Sequence, residues 1–343
     1  MCFMGTKGRR LPPEMISHVL DYLPLRSLQH IVDFPDMENH VRTHLKRRLS
    51  TTLSAFGFSA EKAIDVMQRS GTILSGSAAL EIVQPGTCTP EDLNFYCPLG
   101  SSAAALELIS HTKEYQPVEE RKATVAIPRT PFSQLNVNNG VKCVHRFRDA
   151  TTEKRITLIE SLSPSPLLPL FFFHLTALMN CVTGTGAVSF YPELTESSAA
   201  LLNRGIHFGA IHKPLEVEKW ISRDIRLITD CHDEHPGHPN LTTREKRGMC
   251  QWAYRHSADD WTSALSFQAD VAKINPGPEL GWRLGHVFKA GNRVRVYAPA
   301  VHTLHEEWHL RTFRLLEIWV EYTAPVDEET NDATSELWRR SFP

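Results

Sequence analysis

Three stretches of this sequence carry residue types that could do chemistry. Between positions 72 and 96 an apolar run, Thr72 to Leu74, leads into Ser75-Gly76-Ser77, then the segment AALEIV, then Asp92-Leu93-Asn94 inside DLNFYC. This order reads as a short strand, a Gly-Ser turn that opens a helix, and a second strand bearing a carboxylate and an amide. Further on, CHDEHPGH (231 to 238) gathers Cys231, His232, Asp233, His235 and His238, all of them zinc-binding types. A structural zinc site needs a second ligand pair at regular spacing, and neither Cys250 nor His256 completes one, so a polar loop and no metal site are expected there. His174 lies inside LLPLFFFHLTALMN, where a lone histidine is expected to be a hydrogen-bonded core residue. Serine hydrolase chemistry lacks its GxSxG elbow, and no cysteine sits in a nucleophile's context.

The elements that would position these residues alternate. Ser59 is placed to cap a helix, SAEKAIDVMQRS, that ends at Gly71, and Pro85-Gly86 closes the helix AALEIV. A strand at 92 to 97, a helix at 102 to 111 and strands at ATVAIP, VKCVHRF and RITLIE follow, giving an α/β order with a mixed sheet. LLPLFFFHLTALMN is too short to span a membrane and is expected to be a buried helix. All seven tryptophans lie after residue 219 and ten of the seventeen histidines after residue 206, which marks a separate C-terminal layer. That layer is expected to be helical over 215 to 230 and 243 to 257. A strand at NRVRVYAP and an apolar element near RTFRLLEIWVEY come next, with a loose acidic tail from Asp327.

Upstream, LPPEMISHVLDYLPLRSL sets Leu11, Met15, Ile16, Val19, Leu20 and Leu23 at helical spacing. Pro12 and Pro13 suit a first helical turn, where the N–H has no partner to lose, and Glu14 suits the positive end of the helix dipole. Leu23-Pro24 is expected to stop this helix, and Ser27 to cap a second one carrying Leu28 and Ile31. Val41, Leu45, Leu49 and Leu53 mark a third amphipathic helix, whose basic residues His44, Lys46, Arg47 and Arg48 are expected to be solvated. The pattern resembles an F-box. That resemblance implies docking on the Skp-type adaptor of a cullin ubiquitin ligase through Leu11, Pro12, Ile16, Val19, Leu20, Leu23 and Leu28, while the α/β body selects a target protein. The third helix departs from the F-box pattern, since FPDMENHVRTHLKRRL has no tryptophan. A competing expectation is that these helices fold onto the α/β body.

The segment 72 to 96 resembles the nucleotidyltransferase fold, in which a Gly-Ser turn holds a triphosphate and an Asp-x-Asp on the following strand binds metal ions. The resemblance implies nucleotide contacts at Gly76, Ser77, Asp92 and Asn94, with magnesium accompanying a nucleotide. Asn94 stands in place of the second acid, and Glu160 at the end of RITLIE is the candidate for the third. Two-metal transfer needs clustered carboxylates to offset two divalent cations, so the core is expected to be catalytically degenerate, with no catalytic residues and no resident cofactor. Nucleotide binding or Mg-dependent nucleotidyl transfer is the alternative. The stretch from 10 to 205 also resembles a group of fungal proteins in which an F-box-like start precedes SGSAAL (75 to 80), PEDLNFYCP (90 to 98), LMN (178 to 180) and a YPELT turn (191 to 195). It implies a fold and no activity.

Composition bounds these readings. The 343 residues suffice for more than one unit, divided by pattern into helices at 10–55, an α/β core at 59–205, a Trp- and His-rich region at 206–326 and a tail at 327–343. A net charge of -2 lacks the footprint of a nucleic-acid binder. Seven scattered cysteines without a CxxC point to free thiols in a reducing compartment, and the N-terminus lacks the apolar run of a signal peptide. A cytoplasmic or nuclear protein without a membrane segment is expected.

Overall fold

Proline placement shapes the first two helices. The computed structural model describes residues 12–118, 139–203, 217–228, 250–303 and 319–323, apart from positions 35, 111, 113, 252, 270, 272, 273, 275, 291, 292 and 298. Helix α1 (Pro13–Leu20) starts at a proline with Glu14 in its first turn, and α2 (Leu25–Ile31) starts directly after Pro24. α1 ends at Leu20, three residues before the predicted stop. Ser27 does not cap α2. It lies within the helix, and its hydroxyl donates to the Glu196 carboxylate at 2.8 Å. Helix α3 (Glu38–Ser54) buries Val41, Leu45, Leu49 and Leu53 completely.

The α/β alternation then follows the predicted order. Helix α4 (Ala60–Ser70) ends at Gly71, whose φ of +69° is the left-handed conformation that glycine adopts without strain. Strand β1 (Ile73–Ser75), α5 (Ser77–Val83), β2 (Asp92–Cys97) and α6 (Ser102–Ser110) come next. They are followed by β3 (Tyr115–Pro117), β4 (Val141–Asp149) and β5 (Arg155–Ser161). The predicted strand ATVAIP lies outside the described residues.

LLPLFFFHLTALMN is buried as expected, yet it is not an α-helix. It forms two 3₁₀ turns, Leu168–Phe172 and Thr176–Leu178, and runs straight into β6 (Asn180–Val182). Between the two turns Phe173 (φ −57°, ψ 143°) and Leu175 (φ −133°, ψ 137°) take extended backbone, which interrupts any continuous helical ladder. Strand β7 (Gly186–Ser189), α7 (Pro192–Glu196) and β8 (Ala199–Leu201) complete this part.

The predicted helix over 215–230 is reduced to one turn, α8 (Glu218–Ile221), followed by β9 (Arg226–Ile228). The second predicted helix, 243–257, is not one where it is described, since β10 (Arg255–His256) occupies its end. Tryptophan and β-branched content explains the shift toward strand. Beyond it lie β11 (Ser263–Ser266), β12 (Leu280–Arg283), β13 (His286–Ala290), β14 (Arg293–Tyr297), β15 (Ala300–Thr303) and β16 (Trp319–Thr323). β14 is the predicted NRVRVYAP strand.

The eight-stranded sheet runs β11-β7-β6-β1-β2-β5-β4-β3, and β2–β5 is its parallel pair among antiparallel neighbours. It is therefore a mixed α+β architecture. One face packs on α3, α4, α5 and α6, with Leu74, Leu93, Phe95, Ile156 and Leu158 pointing into it. The other face carries Ile73, Tyr96, Ile159 and Cys181 into a second core built around Trp282. The Trp282 ring stacks on Phe171 with centroids 3.9 Å apart, and its N–H donates to the Tyr191 hydroxyl at 2.9 Å. β11 extends the sheet beside β7, so residues beyond 206 complete it. No helix among the described residues is long and apolar enough to cross a membrane.

The basic residues of α3 are not all solvated. His44 is buried, and Arg48 reaches across three elements: Nη2 donates to the carbonyls of Leu20 and Leu23 (2.7 Å to Leu23), and Nη1 donates to the Ile82 carbonyl at 2.9 Å. Its Nε donates to His44 Nε2 at 3.1 Å. These carbonyls belong to the end of α1, the α1–α2 turn and α5, groups that a helix end otherwise leaves without partners. Burial lowers the Arg48 pKa to about 10; burial, then the charges of Arg48 and Arg47, lowers that of His44 to about 4.

Two outcomes follow. Arg48→Met leaves the Leu23 and Ile82 carbonyls without the guanidinium and is expected to cost about 3 kcal/mol, read from the urea midpoint. For His44, folded pKa below the unfolded 6.5 means that the unfolded chain binds more protons between them. Its contribution is complete above pH 6.5 and is lost as pH falls toward about 4, and His44→Gln should flatten that part of the stability profile.

Candidate functional site

The Gly76-Ser77 turn sits where β1 hands over to α5. Gly76 has φ +75° and ψ −147°, a region closed to residues with a Cβ, and an added Cβ would lie 3.3 Å from Asn94 Nδ2. The turn faces β2 because Ser75 pairs with Asn94 in the antiparallel register of β1 and β2. Ser77, Asp92 and Asn94 are brought together. Ser77 Oγ donates to Asp92 Oδ1 at 3.4 Å, and Asn94 Nδ2 donates to Asp92 Oδ2 at 3.1 Å. Both carboxylate oxygens thus already accept a bond from the protein. Cys88 closes the back of the turn with its thiol on the Ser77 carbonyl, 3.4 Å away, and burial raises its pKa to about 11.

Glu160 does not join this group. In the β2–β5 register it pairs with Cys97, five positions further along β2 than Asp92, or about 16 Å. It also lies on the opposite face of the sheet, because side chains alternate along a strand. There its carboxylate accepts from the Gly100 N–H at 2.7 Å, Lys142 Nζ at 2.8 Å and the Cys143 thiol at 3.1 Å. Burial alone would raise its pKa, but these bonds hold it at about 2. Glu160 caps the start of α6, a structural post for an acid. The positions of β5 registered with Asp92 and Asn94 are Arg155 and Thr157. The site has one acid where two-metal chemistry requires several, and among the described residues no cluster of three His, Cys, Asp or Glu could hold a metal ion.

The apolar residues at the N-terminus divide between two surfaces. Ile16, Leu20 and Leu28 are buried in the protein's own core, with Leu23 partly buried against it, so they are not available to a partner. Pro12 is exposed, and Leu11 lies outside the described residues. Val19 is on the other side of α1, 36% exposed, in line with Met15 at 54% and Tyr22 at 70%. Met15 and Val19 lie one turn apart on α1, and Tyr22 follows in the turn just beyond its end. Sequence reading found the helix but not the division, since both stripes are apolar and only packing shows which is covered. An open groove of about 780 Å³ runs beside this helix between α1 and α3, lined by Glu14, His18, Asp21, His40, His44 and Arg47.

His174 is half-buried after the first 3₁₀ turn, and its carbonyl accepts the Asn203 N–H at 2.8 Å. The CHDEHPGH segment lies outside the described residues. Cys88, Cys97, Cys143, Cys181 and Cys250 are free thiols. Comparison with family models, with curated proteins and with solved structures finds no match.

An isolated acid predicts a specific result: any shift in melting temperature caused by ATP should be the same with magnesium and with EDTA. Gly76→Ala is expected to cost about 1–3 kcal/mol through backbone strain, measured by urea unfolding.

Proposed function

We propose that the chain is a non-catalytic adaptor, F-box-like at its N-terminus, that docks a Skp-type protein of a cullin ubiquitin ligase and presents a target through its α/β body. The observation that carries this reading is the exposed pair Met15 and Val19 on α1 with Tyr22 in the turn after it, flanked by exposed Phe34 after α2. Exposed apolar side chains in line on a short helix are a common mark of a helix-docking surface. The groove between α1 and α3 adds polar groups at its rim, as interfaces generally do. We further read the body as a degenerate nucleotidyltransferase-like core, on the strength of the Gly-Ser turn between β1 and α5 and of Asp92 on the neighbouring strand. Adaptors of this kind work in the cytoplasm or nucleus, which suits the free thiols.

Isothermal titration with the Skp-type adaptor is expected to give a micromolar or tighter complex. Met15→Asp with Val19→Asp should weaken it at least tenfold while changing unfolding free energy by no more than about 0.5 kcal/mol per site, as surface substitutions do. Leu20→Asp is the wrong probe, because a fully buried leucine would unfold the helices. Absence of binding by the wild-type chain overturns the reading.

A further inference from the structure

Helix α8 brings two cations to the loop that returns from α5 to β2. Its backbone stays helical as far as Arg223: the Ser222 N–H donates to the Glu218 carbonyl at 2.9 Å, and the Arg223 N–H to the Trp220 carbonyl at 3.1 Å. Asp224, with φ +59°, ends the turn. Trp220 points inward, 3% exposed, into the core against which Cys88 also packs. Lys219 and Arg223 both lie against its ring, Lys219 Nζ 5.4 Å and Arg223 Cζ 5.0 Å from the centroid.

Neither cation is neutralised. Among the described residues Lys219 and Arg223 form no hydrogen bond and no ion pair, and Arg223 Nη1 is buried without a partner. Glu218 and Asp224, beside them in sequence, are exposed and pair with neither. Two further acids share the neighbourhood, and both are committed elsewhere. Glu81 accepts the Gly86 N–H at 2.8 Å on one oxygen and the Cys88 N–H at 2.9 Å on the other, while Asp92 accepts from Ser77 and Asn94. The Cys88 thiol feels all four charges: burial, then Glu81, and finally Asp92 raise its pKa, whereas Arg223 and Lys219 pull it down. The two cations therefore meet at one ring and act on one thiol.

A buried guanidinium nitrogen without an acceptor is costly, and a bound anion removes that cost. Like charges four residues apart on one helical turn also repel each other. Two positive charges left over match a dianion better than a carboxylate, whose single charge would offset one of them. The planar Arg223 fork can take two oxygens, and the Lys219 ammonium supplies a point charge for a third.

We propose that Lys219 and Arg223 bind the phosphoryl dianion of a phosphate monoester, against Trp220 and beside the Cys88 loop. The site stands independently of the adaptor reading, and both residues lie outside the stretch 72 to 96 that resembles a nucleotidyltransferase.

The test is the melting temperature of the full chain, titrated with inorganic phosphate against sodium chloride at matched ionic strength, then with a phosphoserine peptide and with AMP. Phosphate is expected to raise it beyond chloride, by preferential binding to the folded state. Arg223→Gln should weaken the apparent affinity at least tenfold. Lys219→Gln, at an exposed position that leaves Arg223 on Trp220, should weaken it by a smaller factor. Lys46→Gln, which removes an exposed charge from α3, should leave the response unchanged. At least one monoester should reproduce the phosphate effect, and the tighter one shows whether the carrier is a protein side chain or a small molecule. Equal responses to phosphate and chloride, an undiminished response in either Arg223→Gln or Lys219→Gln, an equal loss in Lys46→Gln, or silence from both monoesters would each overturn the proposal.

Discussion

One buried side chain ties the end of α1 and the turn into α2 to the α/β body beneath them. Arg48 gathers carbonyls from the end of α1, from the turn into α2 and from α5 beneath them, and it does so from a position that desolvation makes costly. The cost is met because each of its nitrogens has a partner, His44 included. Without that arrangement the orientation of α1 would rest on Ile16, Leu20 and the exposed Arg47–Asp21 pair. With it, the outer stripe of α1 is held in a fixed pose relative to the sheet. The N-terminal helices are accordingly a layer of the fold and not a tethered module.

The two faces of the sheet divide the labour. The helical face is largely apolar, and its buried acid at the β5 end, Glu160, is spent on the start of α6. The opposite face is apolar only where Phe171, Phe173 and Trp282 cover it, and polar where the cover stops. What resembles a catalytic centre in the order of motifs is in space the margin between these zones. Ser77 and Asp92 stand there with Arg155 in the row where a further acid would be required.

Much of this was legible in the sequence, and the failures share a cause. The boundary at Gly71 and the strand at 92–97 are written in local chemistry: a positive φ and alternation of side chains. Burial of Val41, Leu45, Leu49 and Leu53 follows from their spacing. Arg48 read as a surface residue because its partners are carbonyls, which no pattern of side chains reveals. Glu160 read as a site residue because its distance from Asp92 depends on the β2–β5 register, a tertiary fact. The aromatic run before β6 read as a helix because hydrophobicity alone does not separate a buried helix from buried turns. The resemblance grouped Ser77 and Asp92 at one place; that Arg155 stands in register with Asp92 depends on strand pairing and was not legible.

The closing of the sheet has a temporal side. Strand β11 lies under α2, where Ser263 donates to Gln29, and Arg42 of α3 donates to the Ser266 carbonyl at 2.8 Å. These partners are separated by 234 and 224 residues. A ribosome adding about 5–20 residues per second would deliver β11 some 10 to 50 seconds after α2 has emerged. Through that interval Leu28 and Ile31 have no edge strand to rest on, and the newborn chain carries an apolar flank that a chaperone can hold. The start of this protein finishes folding only when nearly all the rest has been made.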